Sequence, residues 1–336
     1  GSGRTFYAVS RNGTLVYTEG RTGQMFFNTR STLFERDLVT GVETAIPLES
    51  RAIRDLAYGP DGDRIAFVGG PPGDPDVSEV RTYTYELRLG LAPAPVAARG
   101  QHAQAAWASD GERIAYVDAA GSDAQVMLRD LRREDPARPL SLQEGRRQES
   151  PAWASDSTGV YSLVHAGTRD LWTSGVAEGS VPEPYLESES DLWEPDVSPD
   201  GTRIAYRIGV GSNLSDRAIE VRSFPEPGEP VPISSGSVAD PKWHPDGGSI
   251  LFRRGSEILR AFVSTDPVFR LDSTVVVVDE SVEFRVWDLH PDGSRLLLSR
   301  VEESDDEAEE DGGPGMPERH IVVLNWFEEL KERLGR

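Results

Sequence analysis

The chain has 336 residues, a formal net charge of −22, 37% hydrophobic and 27% charged residues, and no cysteine. Disulfides, thiolate metal sites and cysteine nucleophiles are therefore excluded, and the charge repels phosphate backbones, so neither nucleic acid nor an anionic membrane surface is an expected partner. The apolar content suffices for a sizeable core, while the longest clear apolar run, Val275 to Val278, falls far short of the roughly 18 residues of a membrane helix.

In chain order, Gly1-Ser2-Gly3 reads as an expression scar, and residues 4–336 read as one domain. From there a short unit recurs. It opens weakly at Val9-Ser10-Arg11-Asn12-Gly13 and continues at Tyr58-Gly59-Pro60-Asp61-Gly62, Trp107-Ala108-Ser109-Asp110-Gly111, Trp153-Ala154-Ser155-Asp156, Val197-Ser198-Pro199-Asp200-Gly201, Trp243-His244-Pro245-Asp246-Gly247 and Leu289-His290-Pro291-Asp292-Gly293. Each is a strand end followed by a tight turn, since Pro presets φ and Gly takes the positive φ that closes the turn. An apolar run follows each turn, such as Ile65-Ala66-Phe67, Ile204-Ala205-Tyr206 or Leu296-Leu297-Leu298, as strands covered on both faces require.

The turn Asp or Asn residues are spaced 44 to 49 positions apart. A period in the middle forties built from short strands predicts an all-β fold, a single closed β-propeller of four-stranded blades. Seven markers predict seven blades, with six as the alternative count. Third strands are expected at Leu33 to Asp37, Thr82 to Leu89, Gln125 to Asp130, Asp170 to Ser174, Ala218 to Ser223 and Glu257 to Val263, and fourth strands at Thr44 to Leu48, Pro230 to Ser234 and Ser273 to Val278. The fourth turn has Ser157 in place of Gly, and the first unit is one residue shorter, so these two turns are expected to differ. The last unit carries an acidic stretch over 302–315, read as a mobile loop, a third strand at Ile321 to Trp326, and a short C-terminal helix over about 327–334 with Phe327, Leu330 and Leu334 on one face.

The repeats Tyr58 to Phe67 and Val197 to Tyr206 resemble the TolB-like propeller repeat, found in periplasmic TolB proteins, tricorn-type proteases and prolyl-oligopeptidase propellers. Glu220 to Pro225, Pro241-Lys242-Trp243, Asp288 to Arg295 and Val323 to Lys331 are similar to the C-terminal region of certain bacterial transmembrane serine/threonine kinases. That second resemblance implies the sensor portion of a receptor kinase, extracytoplasmic or periplasmic and tethered through a segment outside this chain. The kinase signature residues are absent, so kinase activity does not carry over.

No Gly-x-Ser-x-Gly elbow and no His-Glu-x-x-His motif occurs, and His102, His165, His244, His290 and His320 are scattered. No cofactor or metal is expected, and the repeated Asp residues read as turn formers. The residues expected at the channel mouth are Arg54, Asp55, Gln104, Glu149, Trp193, Glu194, Asp240, Glu283 and Arg285, charges beside one exposed aromatic that suit a protein, peptide or small polar ligand. The leading reading is thus a non-catalytic ligand- or protein-binding propeller. Its alternatives are a TolB-like envelope interaction scaffold, and a channel-mouth polysaccharide lyase or hydrolase using His165 or His102 with Arg and Asp.

Overall fold

A computed structural model describes residues 7–9, 15–19, 30–71, 79–97, 100–119, 123–141, 143, 146–165, 167–209, 216–265, 268–279, 281–282, 284–301 and 319–323. The chain divides into a unit of residues 31–301 and a smaller one of residues 1–30 with 302–336.

The larger unit holds six four-stranded antiparallel sheets, the blades. Blade 1 comprises Asp55–Tyr58, Arg64–Gly69, Arg81–Glu86 and Ala94–Pro95. Blade 2 comprises His102–Trp107, Arg113–Asp118, Gln125–Asp130 and Arg138–Pro139. Blade 3 comprises Gln148–Ser155, Thr158–His165, Thr168–Gly175 and Glu183–Leu186. Blade 4 comprises Asp191–Val197, Arg203–Gly209, Arg217–Ser223 and Val231–Gly236, and blade 5 Val238–Trp243, Ser249–Arg254, Glu257–Ser264 and Arg270–Val278. Blade 6 is composite: Val286–Leu289 and Arg295–Val301 pair onward to Arg30–Asp37 and Glu43–Arg51 from near the start of the chain.

That composite blade corrects the expected count of seven. The seventh repeat supplies the inner pair of blade 6 and the first repeat its outer pair, with Leu298 opposite Phe34, so the two end repeats together make one blade. The expected third strand of the last unit does not extend that blade. Arg319–Val323 instead pairs with Leu15–Glu19, which pairs with Tyr7–Val9, as a separate three-stranded sheet in the smaller unit. Among the described residues there is no helix, and the helix expected over 327–334 and the acidic loop over 302–315 lie outside them.

First strands of blades 6, 1, 2, 3, 4 and 5 lie side by side in that order, and blade 5 meets blade 6 where Lys242 reaches Asp288. The ring therefore has a mouth end, where first strands begin, and a turn end, where the Asp-bearing turns sit. Apolar residues from adjacent sheets fill the space between blades, as where Leu251 and Ile258 of blade 5 pack with Leu289 and Leu296 of blade 6. In the six blades the residue three before the turn marker takes part: Trp153 donates its indole N–H to Ala106 O of the preceding blade at 3.1 Å.

The turn carboxylates hold their own turns, as expected. Asp61 Oδ1 accepts the N–H of Asp63 and Arg64, and Asp110, Asp200, Asp246 and Asp292 repeat the pattern with local partners. The fourth turn differs, as expected: Asp156 reaches the preceding blade, accepting Ser109 Oγ at 2.6 Å and Asp110 N at 3.0 Å. His244 and His290 are buried between blades at the turn end, under Gly293 and Gly62 of the following blades.

Candidate functional site

The first strands of blades 2 to 5 are each bulged near their start. The antiparallel register skips at Gln104, Ser150, Glu194 and Asp240, six positions before each turn marker. All four are non-glycine residues with left-handed φ, of 41°, 51°, 53° and 54°. A bulge redirects the side chain it carries, and here the redirected groups link blade to blade. Gln104 Oε1 accepts Ser150 N at 2.8 Å while its Nε2 donates to Ser150 Oγ at 3.1 Å. Glu194 Oε2 accepts Asp240 N at 2.8 Å, and Asp55 Oδ2 accepts Ala105 N at 2.6 Å.

The mouth-end residues expected from the sequence fall into separate groups. Glu194 pairs with Arg207 at 3.0 Å, and burial together with the Asp240 charge pushes its carboxyl well up. Glu149 pairs with Arg147 and Arg169, and Arg169 also reaches Asp191 at 3.3 Å. Arg54 and Arg285 come close enough that burial and then the Arg285 charge push the Arg54 guanidinium down. Glu283 lies outside the described residues. Trp193 corrects the expectation of an exposed aromatic: it is 9% exposed, because guanidinium groups cover its ring, Arg207 at 4.6 Å and Arg169 at 5.3 Å from the centroid.

Sequence reasoning missed a second layer, four positions before each marker. There blades 1 to 3 carry Ala57, Ala106 and Ala152, and blades 4 to 6 carry Asp196, Lys242 and Asp288. Lys242 Nζ sits 3.0 Å from Asp288 Oδ1. Charges on Asp288, Asp196 and Asp55 hold its ammonium up against the opposing effect of burial. Carboxylates of three other blades acting on one ammonium of blade 5 place the group at the ring axis. The signal was available in the sequence, since Lys242 and Lys331 are the chain's two lysines and Lys242 falls on the repeat frame.

The carboxylates around Lys242 also anchor the ring. Asp196 accepts Trp243 N at 2.5 Å, and Asp288 accepts Tyr58 N at 2.7 Å, the latter joining blades 6 and 1. Burial raises Asp55 to about 7 and Asp196 to about 6. Both then retain protons in the folded chain that the unfolded chain releases near pH 4, so stability falls as pH rises through that window. The turn aspartates, with carboxyls held low by their hydrogen bonds, contribute a loss only at more acidic pH. We expect the melting temperature to fall between pH 5 and pH 7.5 and Asp196→Asn to flatten that slope in circular dichroism melts. An identical slope in the variant would assign the protons to other groups.

His102 is buried between blades, where its Nδ1 accepts Thr82 N at 2.9 Å and its ring lies 4.5 Å from that of Tyr116. His165 is exposed at a hairpin end. Among the described residues no group of three His, Asp or Glu side chains is arranged to hold a metal ion, and no helix is long and apolar enough to cross a membrane.

No protein-family model matches the chain, and no curated protein does. Solved structures do. A putative TolB from Agrobacterium tumefaciens aligns with a TM-score of 0.61 at 14% identity, over 82% of this chain and 99% of that one. The fold is TolB-like. TolB from Acinetobacter baumannii aligns with a TM-score of 0.54 at 14% identity, over 88% of this chain and 78% of the other. An oligogalacturonate lyase in complex with manganese aligns with a TM-score of 0.52 at 12% identity, over 90% and 78%. At such identities the TolB-like propeller is shared as architecture, and function has to be argued from the site.

Proposed function

We propose that the chain is a non-catalytic binding propeller that receives a protein or peptide segment across the mouth end of its ring. The observation that carries this reading is the run of left-handed bulge residues Gln104, Ser150, Glu194 and Asp240. Holding a non-glycine residue there costs on the order of 1 kcal/mol each, and the same backbone device sets a different polar group at the mouth end of each of blades 2 to 5. A rigid frame with varied chemistry suits recognition of one particular surface. The resemblance to TolB proteins supports an envelope interaction scaffold by analogy. The finer reading, the extracytoplasmic sensor portion of a receptor-type serine/threonine kinase, is carried by the Asn325 to Lys331 resemblance.

Arg147 at the mouth end and Asp246 at the turn end have equally exposed side chains, 55% each. A photo-crosslinking residue placed at each position tests the ends against one another in an envelope extract. A stoichiometric protein adduct from position 147, with none from 246, is the expected result. Adducts from the turn end alone, or turnover of oligosaccharides or peptides by the purified chain, would refute the reading.

A further inference from the structure

The residue three before each turn marker pairs with Ile65, Ile114, Gly159, Ile204, Ile250 or Leu296 on the second strand. Just before those partners stand Arg64, Arg113, Thr158, Arg203, Ser249 and Arg295, one equivalent position at the turn end of the six blades. In five of them a guanidinium is found there. Arg64, Arg113 and Arg203 each lie over an aromatic ring of the next blade, 4.9 Å from Trp107, 5.6 Å from Trp153 and 4.5 Å from Phe269. Arg295 reaches His290 at 2.7 Å, and Ser249 Oγ accepts Arg260 Nε–H at 2.8 Å.

Blade 3 is the exception. Its Thr158 lines a cavity of about 560 Å³ between blades 3 and 4, together with Thr173, Glu183 and Tyr185 of blade 3 and Phe224 and Glu226 of blade 4, and no basic residue lines it. Phe224, like Phe269, belongs to the link between third and fourth strands, so the next blade's ring is present although the arginine is not. Arg222 is committed elsewhere, donating to Tyr206 Oη at 2.8 Å and to Gly228 O at 2.7 Å. Glu183 and Glu226 are exposed and make no ion pair among the described residues.

We propose that this cavity receives an arginine side chain of a partner polypeptide, whose guanidinium takes, beside Thr158 and against the Phe224 ring, the place that the fold gives to its own guanidinium in the other blades. Glu183 and Glu226 are the counter-charges. A planar guanidinium stacks on an aromatic face and bonds carboxylates in pairs, which a lysine ammonium does not. The cavity is larger than one such side chain fills, so the backbone on either side can lie along it, and the net charge of −22 draws in a basic segment. A free amino acid would bring its own carboxylate against Glu183 and Glu226. The site lies at the opposite end of the ring from the mouth and is independent of the reading proposed there.

Threonine methyl ¹H–¹³C spectra of the full chain read the cavity through Thr158 and Thr173. Titration with acetyl-arginine amide is expected to shift both signals. Acetyl-citrulline amide, the same shape without the charge, is expected to leave them in place, and free arginine to bind more weakly than the amide. Thr158→Arg supplies the guanidinium from the chain itself and is expected to abolish the Thr173 response without lowering the melting temperature. Glu183→Gln with Glu226→Gln is expected to weaken binding about tenfold, and it decides the matter alone if Thr158→Arg does not fold. The proposal is overturned if acetyl-arginine amide shifts neither methyl, if citrulline binds as tightly, or if the Thr158→Arg or the double glutamine variant binds like the parent. Free arginine binding as tightly as the amide would overturn the polypeptide as its source.

Discussion

Gly62→Ala is expected to cost about 3 kcal/mol of stability in urea unfolding, the sum of a left-handed alanine and an overpacked contact. Gly62 has φ +71°, and a Cβ there would lie 2.3 Å from His290 Nε2 and 2.7 Å from Cε1. The imidazole has little room to retreat. It packs edge-on against Tyr58 with centroids 4.9 Å apart, and its ring nitrogens meet Asp292 and Arg295 at 2.7 Å. The contact joins blade 1 to blade 6, so its loss acts on the closure of the ring. Gly247→Ala is the control: φ there is +70° and no atom stands within 4 Å of the added carbon, so only the backbone term remains, about 1 kcal/mol. Equal losses in the two variants would show that the His290 contact contributes nothing. Gly293, whose Cβ would lie 2.2 Å from His244 Nε2, should behave like Gly62.

Lys242→Met is expected to destabilise the folded chain by about 2 to 3 kcal/mol at pH 7.5, because it leaves Asp288, Asp196 and Asp55 facing each other without a cation. A fully buried pair would lose more, but 34% of the Lys242 side chain meets solvent, which screens part of the interaction. The loss should shrink at pH 5, where Asp55 and Asp196, raised to about 7 and about 6, take up protons and the repulsion disappears. Urea unfolding at the two pH values measures this directly. A loss that is the same at both would mean that Lys242 acts through packing and not through charge.

Much of the repeat could be read from the chain, because turns and strands are set by neighbours in sequence. Asp61, Asp110, Asp200, Asp246 and Asp292 bond within two or three residues of themselves, so their role follows from the local pattern. The mouth-end set was read less completely. Gln104, Glu194 and Asp240 lie on the bulges, but Trp193 is buried because Arg207, paired opposite it on the next strand, covers it. Arg169 and Arg217 come from strands 20 or more residues away, and nothing in the repeat marks them. Lys242 had a signal, a rare residue on the repeat frame, and only its partners were hidden.

By itself the sequence determined the all-β class, the period of the blades and the chemistry of their turns, each encoded over a few residues by φ preferences, strand alternation and short hydrogen bonds. Tertiary structure decided how many blades those repeats make. Periodicity counts markers, and it cannot tell a complete end repeat from one that gives half its strands to a shared blade, in which Arg295 meets Glu35 across 260 positions. It also decided what stands at the axis and beside Trp193. The axis groups come from different blades, and those beside Trp193 from three strands of blade 4 and one of blade 3, so strand pairing and blade packing assemble them and no local pattern records either.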